Sequence, residues 1–192
     1  PTTSAGPSLR EVCEQVDPRY VFLVHWSDYV PVAVFDRWET VNLHCAPLPF
    51  GRGGHPIENL LLAGYHRTLM TAHRVVADRD AGPIYGVGGP IAIDKPTKIE
   101  ILDGFVEPCA RLIRDVVASE PTPYPQTGRV VRFPLLSRES YDRFWERRSA
   151  QNAHAPHERV TYEAEVMVET EILDLMAATR KKSIAIYAEM AQ

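Results

Sequence analysis

Apolar residues follow two patterns along the chain, continuous runs and helical spacings. The runs YVFLVH (20–25) and ETVNLH (39–44) are typical of strands buried on both faces of a sheet. Weaker patterns at MTAHRVV (70–76), PIYGVGGPIAI (83–93) and RVVRF (129–133) indicate further strands. The pattern therefore predicts a sheet built from several short strands.

Helical patterns separate most of these strands. Residues 7–16 carry apolar side chains at helical spacing, 31–38 and 56–64 each open with a proline, and 98–119 form a long amphipathic stretch. Strands that alternate with helices predict an α/β fold with a Rossmann-like open parallel sheet.

The pattern changes after Pro121. PTPYPQ (121–126) is proline-rich and extended, and the composition from about Thr161 to Gln192 predicts one long terminal helix. We therefore expect a catalytic domain over residues 1–135 and a mostly helical C-terminal extension over 136–192.

The first predicted strand, 20–25, is preceded by about one helix and by no other strand. An apolar strand edge with unpaired N–H and C=O groups favours aggregation, so natural proteins cover it. We expect the cover to come from a second subunit, which would make the protein a homodimer, or from the predicted helix at 161–192.

Composition excludes some classes of protein. The chain has 192 residues, of which 45% are hydrophobic, enough for one domain with an appendage. Its net charge of -4, from 25 acidic and 21 basic residues, offers no basic excess for a phosphate backbone, so we expect no nucleic acid as main partner.

Apolar runs and cysteines indicate the compartment. No run approaches the length of a membrane span, so we expect no membrane partner. The three cysteines are widely spaced and include no CxxC pair, which favours reduced thiols in a cytoplasmic protein without a metal.

Candidate chemistry begins in VNLHCAPLPFGRGG (41–54). Asn42 and His44 lie two residues apart at the end of a predicted strand, so both side chains point to one face, toward the crevice where α/β proteins bind ligands. A carboxamide donor beside an imidazole base suits the attack of an amine on a carbonyl group. Spacing alone favours a structural role, because such residues more often cap a strand or a turn.

A second segment, ADRDAGPI (77–84), favours a catalytic role for Asn42 and His44 over a structural one. The chain resembles the folate-dependent formyltransferases in three segments and in their separation: NLHCAPLP, TAH and DAGPIY. That family includes glycinamide ribonucleotide formyltransferase, methionyl-tRNA formyltransferase and the nucleotide-sugar N-formyltransferases. The family motif, Asn-x-His-x-Ser-x-Leu-Pro with a later Asp-x-Gly, places the catalytic residues at Asn42, His44 and Asp80. The resemblance covers about residues 18–135.

The sequence departs from that family pattern in three places. Ala46 stands where the family usually has serine. The further βα units that open other members are missing, so the chain looks N-terminally shortened. The segment after Phe133 looks too short and too helical for the C-terminal barrel of the methionyl-tRNA enzymes.

The resemblance implies transfer of a formyl group from N10-formyltetrahydrofolate to a primary amine. It makes His44 the general base, Asn42 the donor to the oxyanion, and Asp80 the residue that holds the imidazole. The implied cofactor-binding residues are Trp26, Ser27, Asp28, Tyr29 and Asp78, and the implied substrate-binding residues are Gly51, Arg52, Gly53 and Gly54.

Plainer roles remain open for three of these residues. Trp26 and Tyr29 suit ordinary core packing about as well as a pterin contact, and Arg52 suits a solvated surface.

The acceptor and the activity itself are less closely defined. By resemblance we expect the amine of a nucleotide-linked amino sugar, such as a 4-amino-4,6-dideoxyhexose, with hydroxyornithine or another natural-product amine as the alternative acceptor. One alternative is an inactive, truncated relative that serves as a binding or assembly module. Another is a hydrolase that uses the same three residues to transfer the formyl group to water.

Overall fold

A five-stranded sheet organises residues 8–151 and 183–187, which are the residues that the computed structural model describes. Its strands, and those of a smaller two-stranded sheet, are β1 (Tyr20–Val24), β2 (Glu39–His44), β3 (Phe50–Gly53), β4 (Arg67–Arg74), β5 (Ile84–Ala92), β6 (Val131–Phe133) and β7 (Ser183–Tyr187). The helices are α1 (Leu9–Val16), α2 (Val32–Phe35), α3 (Pro56–Leu62), α4 (Lys98–Ser119) and α5 (Arg138–Gln151).

The open α/β sheet expected from the sequence is confirmed, but it is mixed rather than wholly parallel. Among the described residues the strand order of this sheet is β5-β4-β2-β1-β7, and its β7–β1 and β1–β2 pairs are parallel. β4 runs antiparallel to both of its neighbours. The link between β4 and β5, residues 75–83, contains no helix and is too short for the crossover that parallel strands require.

β7 corrects the prediction for the C-terminus. Residues 183–187, expected in a long helix, form a strand paired with β1 from Tyr20–Ser183 to Val24–Tyr187. The remaining parts of 161–192 lie outside the described residues. Because the chain itself covers the edge of β1, the argument for a homodimer no longer holds. The extension does contain a helix, α5, but it precedes the helix predicted at 161–192.

Two apolar layers hold the sheet from its opposite faces. Alternate residues of β1 separate cleanly, as the period of a strand requires: Val21 and Leu23 pack in one cluster, and Phe22 and Val24 in the other. The larger cluster includes the buried face of α4, and the smaller one includes residues of α1 and α2. This packing fixes the ends of β1 and β2, where the candidate site lies.

Within the described ranges, no helix is both long enough and apolar enough to span a membrane.

Candidate active site

Three polar side chains meet where β2 and β4 lie side by side. Asn42 on β2 is the register partner of His73 on β4, and cross-strand partners of this kind present their side chains on one face. Asn42 Nδ2 lies 3.3 Å from His73 Nε2. His44, two residues after Asn42, packs its ring edge-on to His73 with the ring centroids 6.3 Å apart.

Asp80 reaches this group from the loop between β4 and β5. Its backbone adopts a left-handed conformation with φ of 55°. Gln126 Nε2 donates hydrogen bonds of 2.8 Å to the carbonyl oxygens of Asp80 and Gly82. A Cβ at Gly82 would lie 1.8 Å from the Arg74 carbonyl oxygen, so only glycine lets the loop approach β4 this closely.

The Asp80 carboxylate has three partners. Oδ2 accepts a 2.8 Å hydrogen bond from the Gly53 N–H, while Oδ1 lies 3.5 Å from His73 Nε2 and 3.8 Å from His44 Nδ1. Burial raises the pKa of Asp80, but hydrogen bonding from His73, the electrostatic interaction with the nearby His44 ring and the Gly53 N–H outweigh it and lower the pKa to about 2. Asp80 is therefore a buried carboxylate at neutral pH.

His44 is buried, and its surroundings define its tautomer. Nε2 lies 2.8 Å from the Gly51 carbonyl oxygen, which can only accept, so Nε2 carries the hydrogen. Burial lowers the pKa of His44 more than the Asp80 charge raises it. His44 is therefore neutral, with the lone pair of Nδ1 directed toward Asp80.

An open cleft lies beside this group. Asn42, His73 and Asp80 line it, but His44 does not; the other lining residues are Leu23, Trp26, Asp28, Tyr29, Val30, Phe35, Val75, Val76, Ala77 and Arg79. Among the described residues, the buried side-chain polar atoms without a hydrogen-bond partner are Trp26 Nε1 and Asn42 Oδ1. An unpaired buried polar atom costs about 1–3 kcal/mol, and such atoms are common where a ligand binds.

The residues predicted to bind the cofactor divide into two groups. Trp26, Asp28 and Tyr29 line the cleft, and Trp26 also packs against the smaller apolar cluster. Ser27 contributes its carbonyl oxygen, which accepts a 2.7 Å hydrogen bond from Arg79. Asp78 is not among the residues that line the cleft, and its carboxylate accepts two 3.0 Å hydrogen bonds from Arg132 on β6.

The segment predicted as a substrate loop is instead strand β3, paired with β6. A Cβ at Gly51 or Gly53 would lie 2.7 or 2.4 Å from atoms of Phe133, and one at Gly54 would lie 2.6 Å from Leu135. The close approach of the segment around β6 therefore gives Gly51 and Gly53 a structural reason to be glycine.

Arg52 is buried instead of solvated. Its Nε and one terminal nitrogen donate hydrogen bonds of 3.0 and 2.8 Å to Gln126 Oε1, and Nη1 lies 3.9 Å from Asp78. Arg52 thus connects β3 to the residue that holds the Asp80 loop.

Two residues of the site were missed from the sequence. His73 belongs to the TAH segment that contributed to the family resemblance, but a lone histidine in an apolar strand has no other distinguishing pattern. Gln126 is the last residue of the proline-rich stretch 121–126, and no local pattern links it to Asp80.

Comparison with known proteins defines the class to which this fold and site belong. The family model described as formyl transferase matches residues 1–108. The chain therefore belongs to the formyl transferase family.

Individual relatives agree with that assignment. Methionyl-tRNA formyltransferase from Rhodococcus erythropolis is 29% identical over 139 residues, 69% of this chain and 45% of that protein. The structure of methionyl-tRNA formyltransferase from Clostridium thermocellum superposes with a TM-score of 0.62 at 26% identity, covering 72% of this chain and 60% of that one.

The formyltransferase PseJ from Anoxybacillus kamchatkensis, solved with UDP-4,6-dideoxy-4-formamido-L-AltNAc and tetrahydrofolate, shares the fold. Its TM-score is 0.54 at 16% identity, covering 65% of this chain and 69% of that one. The chain spans less than half the length of the curated relatives that it matches.

These relatives contradict the expectation that nucleic acid is not a main partner, because their names specify a tRNA substrate. The expectation rested on a net charge of -4. Net charge is a sum, and it does not exclude a local group of basic side chains such as Arg52, Arg79 and Arg132 around the candidate site.

Proposed function

We propose that this protein transfers the formyl group of N10-formyltetrahydrofolate to a primary amine in the cleft, with Asn42, His44 and Asp80 as the catalytic residues. The observation that carries the proposal is the meeting of these residues, from two segments of a chain in the formyl transferase family, around one buried carboxylate. Bound formyl-folate supplies an activated formyl group attached to nitrogen.

The cleft has the chemistry to hold a pterin ring. Leu23, Val30, Phe35 and Val75 provide apolar walls, and Trp26 Nε1 is a donor without a partner among the described residues. A flat heterocycle with donors and acceptors around its edge needs such a combination of apolar walls and a few polar groups.

The proposed roles follow from the charge that moves during the reaction. Attack by the amine places negative charge on the formyl oxygen and positive charge on the nitrogen. The Asn42 carboxamide would donate to that oxygen, a contact whose loss typically costs about 3–4 kcal/mol. The attacking nitrogen must also lose a proton, and the folate nitrogen must gain one as its bond to the formyl carbon breaks. The groups that would carry this proton are the Asp80 carboxylate, which lines the cleft, and the lone pair of His44 Nδ1 that faces it.

For the acceptor, we propose an amine on a phosphate-bearing molecule. Arg79 and the exposed Arg132 lie near the site, and guanidinium groups bind phosphate well. Aminoacyl-tRNA is supported by the sequence relatives. A nucleotide-linked amino sugar is supported by the acceptor named for a structure that shares the fold.

An acceptor competition tests this proposal. The protein is incubated with N10-formyltetrahydrofolate and either methionyl-tRNA or nucleotide-linked 4-amino-4,6-dideoxyhexoses, and mass spectrometry detects the formylated product. Arg132→Gln should raise the KM of the true acceptor, whereas Arg143→Gln, which removes an exposed helix arginine paired with Glu139, should not. An acceptor without phosphate that reacts equally fast would contradict this choice of substrate class.

A further inference from the structure

Gln126 joins two parts of the site, and the proposed mechanism gives it no role. It ends the stretch 121–126, which runs beside the start of β5. Tyr124, two residues earlier, donates a 2.9 Å backbone hydrogen bond to Ile84 and accepts one of 2.7 Å from it. The backbone near Gln126 is therefore held close to the end of the loop that carries Asp80.

All the hydrogen-bonding positions of the Gln126 carboxamide are used. Nε2 donates 2.8 Å hydrogen bonds to the carbonyl oxygens of Asp80 and Gly82, and Oε1 accepts bonds of 3.0 and 2.8 Å from the Arg52 guanidinium. Carbonyl oxygens can only accept and a guanidinium can only donate, so these partners settle which end of the carboxamide is the oxygen. The side chain therefore cannot turn over without losing all of these bonds.

Arg52 carries this contact to β3. Its side chain is buried, and the next residue, Gly53, donates its N–H to Asp80 Oδ2 at 2.8 Å. Asp80 is thus held twice from the same strand. Gly53 binds its carboxylate, and Gln126, bound to Arg52, binds its carbonyl oxygen. These contacts form a closed ring around Asp80.

The Asp80 backbone needs such support. Its φ of 55° lies in the left-handed region, which L-residues adopt at a cost, and such conformations persist where surrounding contacts hold them. The position of the carboxylate depends on that backbone, and Oδ1 lies 3.8 Å from His44 Nδ1. A displacement of about 1 Å in a catalytic group can lower a rate about a hundredfold. Small movements of the loop should therefore slow the proposed reaction.

We propose that Gln126 is a positioning residue: bound to Arg52, its carboxamide holds the Asp80 backbone so that the carboxylate keeps its contact with Gly53 and its direction toward His44. Gln126 is not among the residues that line the cleft, so it acts through Asp80. Its effect on catalysis rests on the proposed function, but its effect on the position of Asp80 does not.

Hydrogen exchange of the Gly53 amide reports the position of the carboxylate without any ligand. Gln126→Met keeps the approximate length of the side chain but removes its hydrogen bonds, and Gln15→Met makes the same change at an exposed position of α1. We expect the Gly53 N–H to exchange at least about tenfold faster in Gln126→Met, and to accelerate more than the amide of buried Leu23 in β1. Gln15→Met should change neither rate.

Two results of that experiment would overturn the proposal. Unchanged exchange at Gly53 would show that the carboxylate keeps its place without Gln126. Equal acceleration at Gly53 and Leu23 would show that the substitution only lowers the stability of the whole fold.

Kinetic measurements test the consequence for catalysis. At saturating substrates, Gln126→Met should lower kcat between about tenfold and a hundredfold, because the carboxylate no longer faces His44. The apolar walls at Leu23, Val30 and Phe35 belong to β1 and the segment around α2, so the dissociation constant for tetrahydrofolate should change less than about threefold. An unchanged kcat, or equal losses of rate and affinity, would overturn the positioning role.

Gln126→Asn serves if the methionine variant does not fold. It keeps the carboxamide but shortens the side chain by one methylene group, so the carboxamide cannot reach both partners. The same changes in exchange and in kcat are expected, with a smaller size, and the same results would overturn the proposal.

The two proposals fail separately. Faster exchange at Gly53 in Gln126→Met, in a protein whose wild type transfers no formyl group, would refute the proposed function alone. Unchanged exchange in an active enzyme would refute this inference alone.

Discussion

At the scale of single residues, His44 and Asp80 are the most direct targets for mutation. We predict that His44→Ala or Asp80→Asn lowers the rate of formyl transfer at least about a hundredfold, because each change removes a group that handles the proton of the attacking amine. Both side chains are buried rather than solvent-facing, so the melting temperature must be measured alongside the rate. His66→Ala, at an exposed position, is the control. A folded variant that keeps more than about a tenth of the wild-type rate would refute the assignment.

The lowered pKa of Asp80 also predicts how the free energy of unfolding depends on pH. Its pKa in the folded protein is about 2, below the ordinary 3.8, so it contributes stability that is present above the ordinary pKa and is lost as pH falls through the folded value. We expect roughly 2 kcal/mol of unfolding free energy to disappear across that interval. Chemical denaturation of the wild type and of Asp80→Asn should show their difference shrinking as pH falls. A difference that does not depend on pH would contradict the prediction.

Two tryptophans separate ligand binding from stability. Trp26→Phe keeps an aromatic ring but removes a donor that has no protein partner, so it should weaken tetrahydrofolate binding with little change in stability. Trp145→Phe removes the donor of a 3.0 Å hydrogen bond to buried Glu58, so it should cost about 1–3 kcal/mol of stability and leave folate binding unchanged. Calorimetric titration and thermal unfolding measure the two effects, and the reverse pattern would place Trp26 in the core alone.

At the scale of elements, the sequence predicted the helices and strands whose apolar pattern lies within the element itself. β1, β2 and α4 have strong local apolar patterns, and α4 also has a capping box at Thr97 and Glu100. β3 was missed because FGRG has little strand propensity, and it forms a strand by pairing with β6, about 80 residues later.

β7 was missed for a related reason. The apolar spacing of SIAIY suits a helix or a strand, and pairing with the distant β1 decides between them. In a parallel edge strand, consecutive N–H groups point alternately toward and away from the neighbour. Of Ala185→Pro and Ile186→Pro, one should therefore destabilise the protein clearly more than the other. Chemical denaturation measures this, and equal losses would favour a helix.

At the scale of the whole molecule, the site joins segments that are distant in the sequence. β2, β4 and the 77–83 loop supply the polar group, while Gly53 and Gln126 hold Asp80 from the smaller sheet and the segment before it. The motif identified Asn42, His44 and Asp80 as candidate catalytic residues because it depends only on residue types and their spacing along the sequence. It could not reveal His73 or Gln126, whose roles depend on three-dimensional contacts, and net charge gave a wrong exclusion of nucleic acid.

The central claim is that the protein transfers a formyl group from folate to an amine in this cleft. The most direct test is to identify the product that contains a labelled formyl carbon. N10-formyltetrahydrofolate carrying ¹³C in the formyl group is incubated with the protein and the acceptor panel, and the label is followed by NMR. We predict that label lost from folate appears in a formamide, one for one, and that His44→Ala abolishes this transfer. Label recovered only as formate would indicate a hydrolase, and label that stays on bound folate would indicate a binding module; either result would contradict the account.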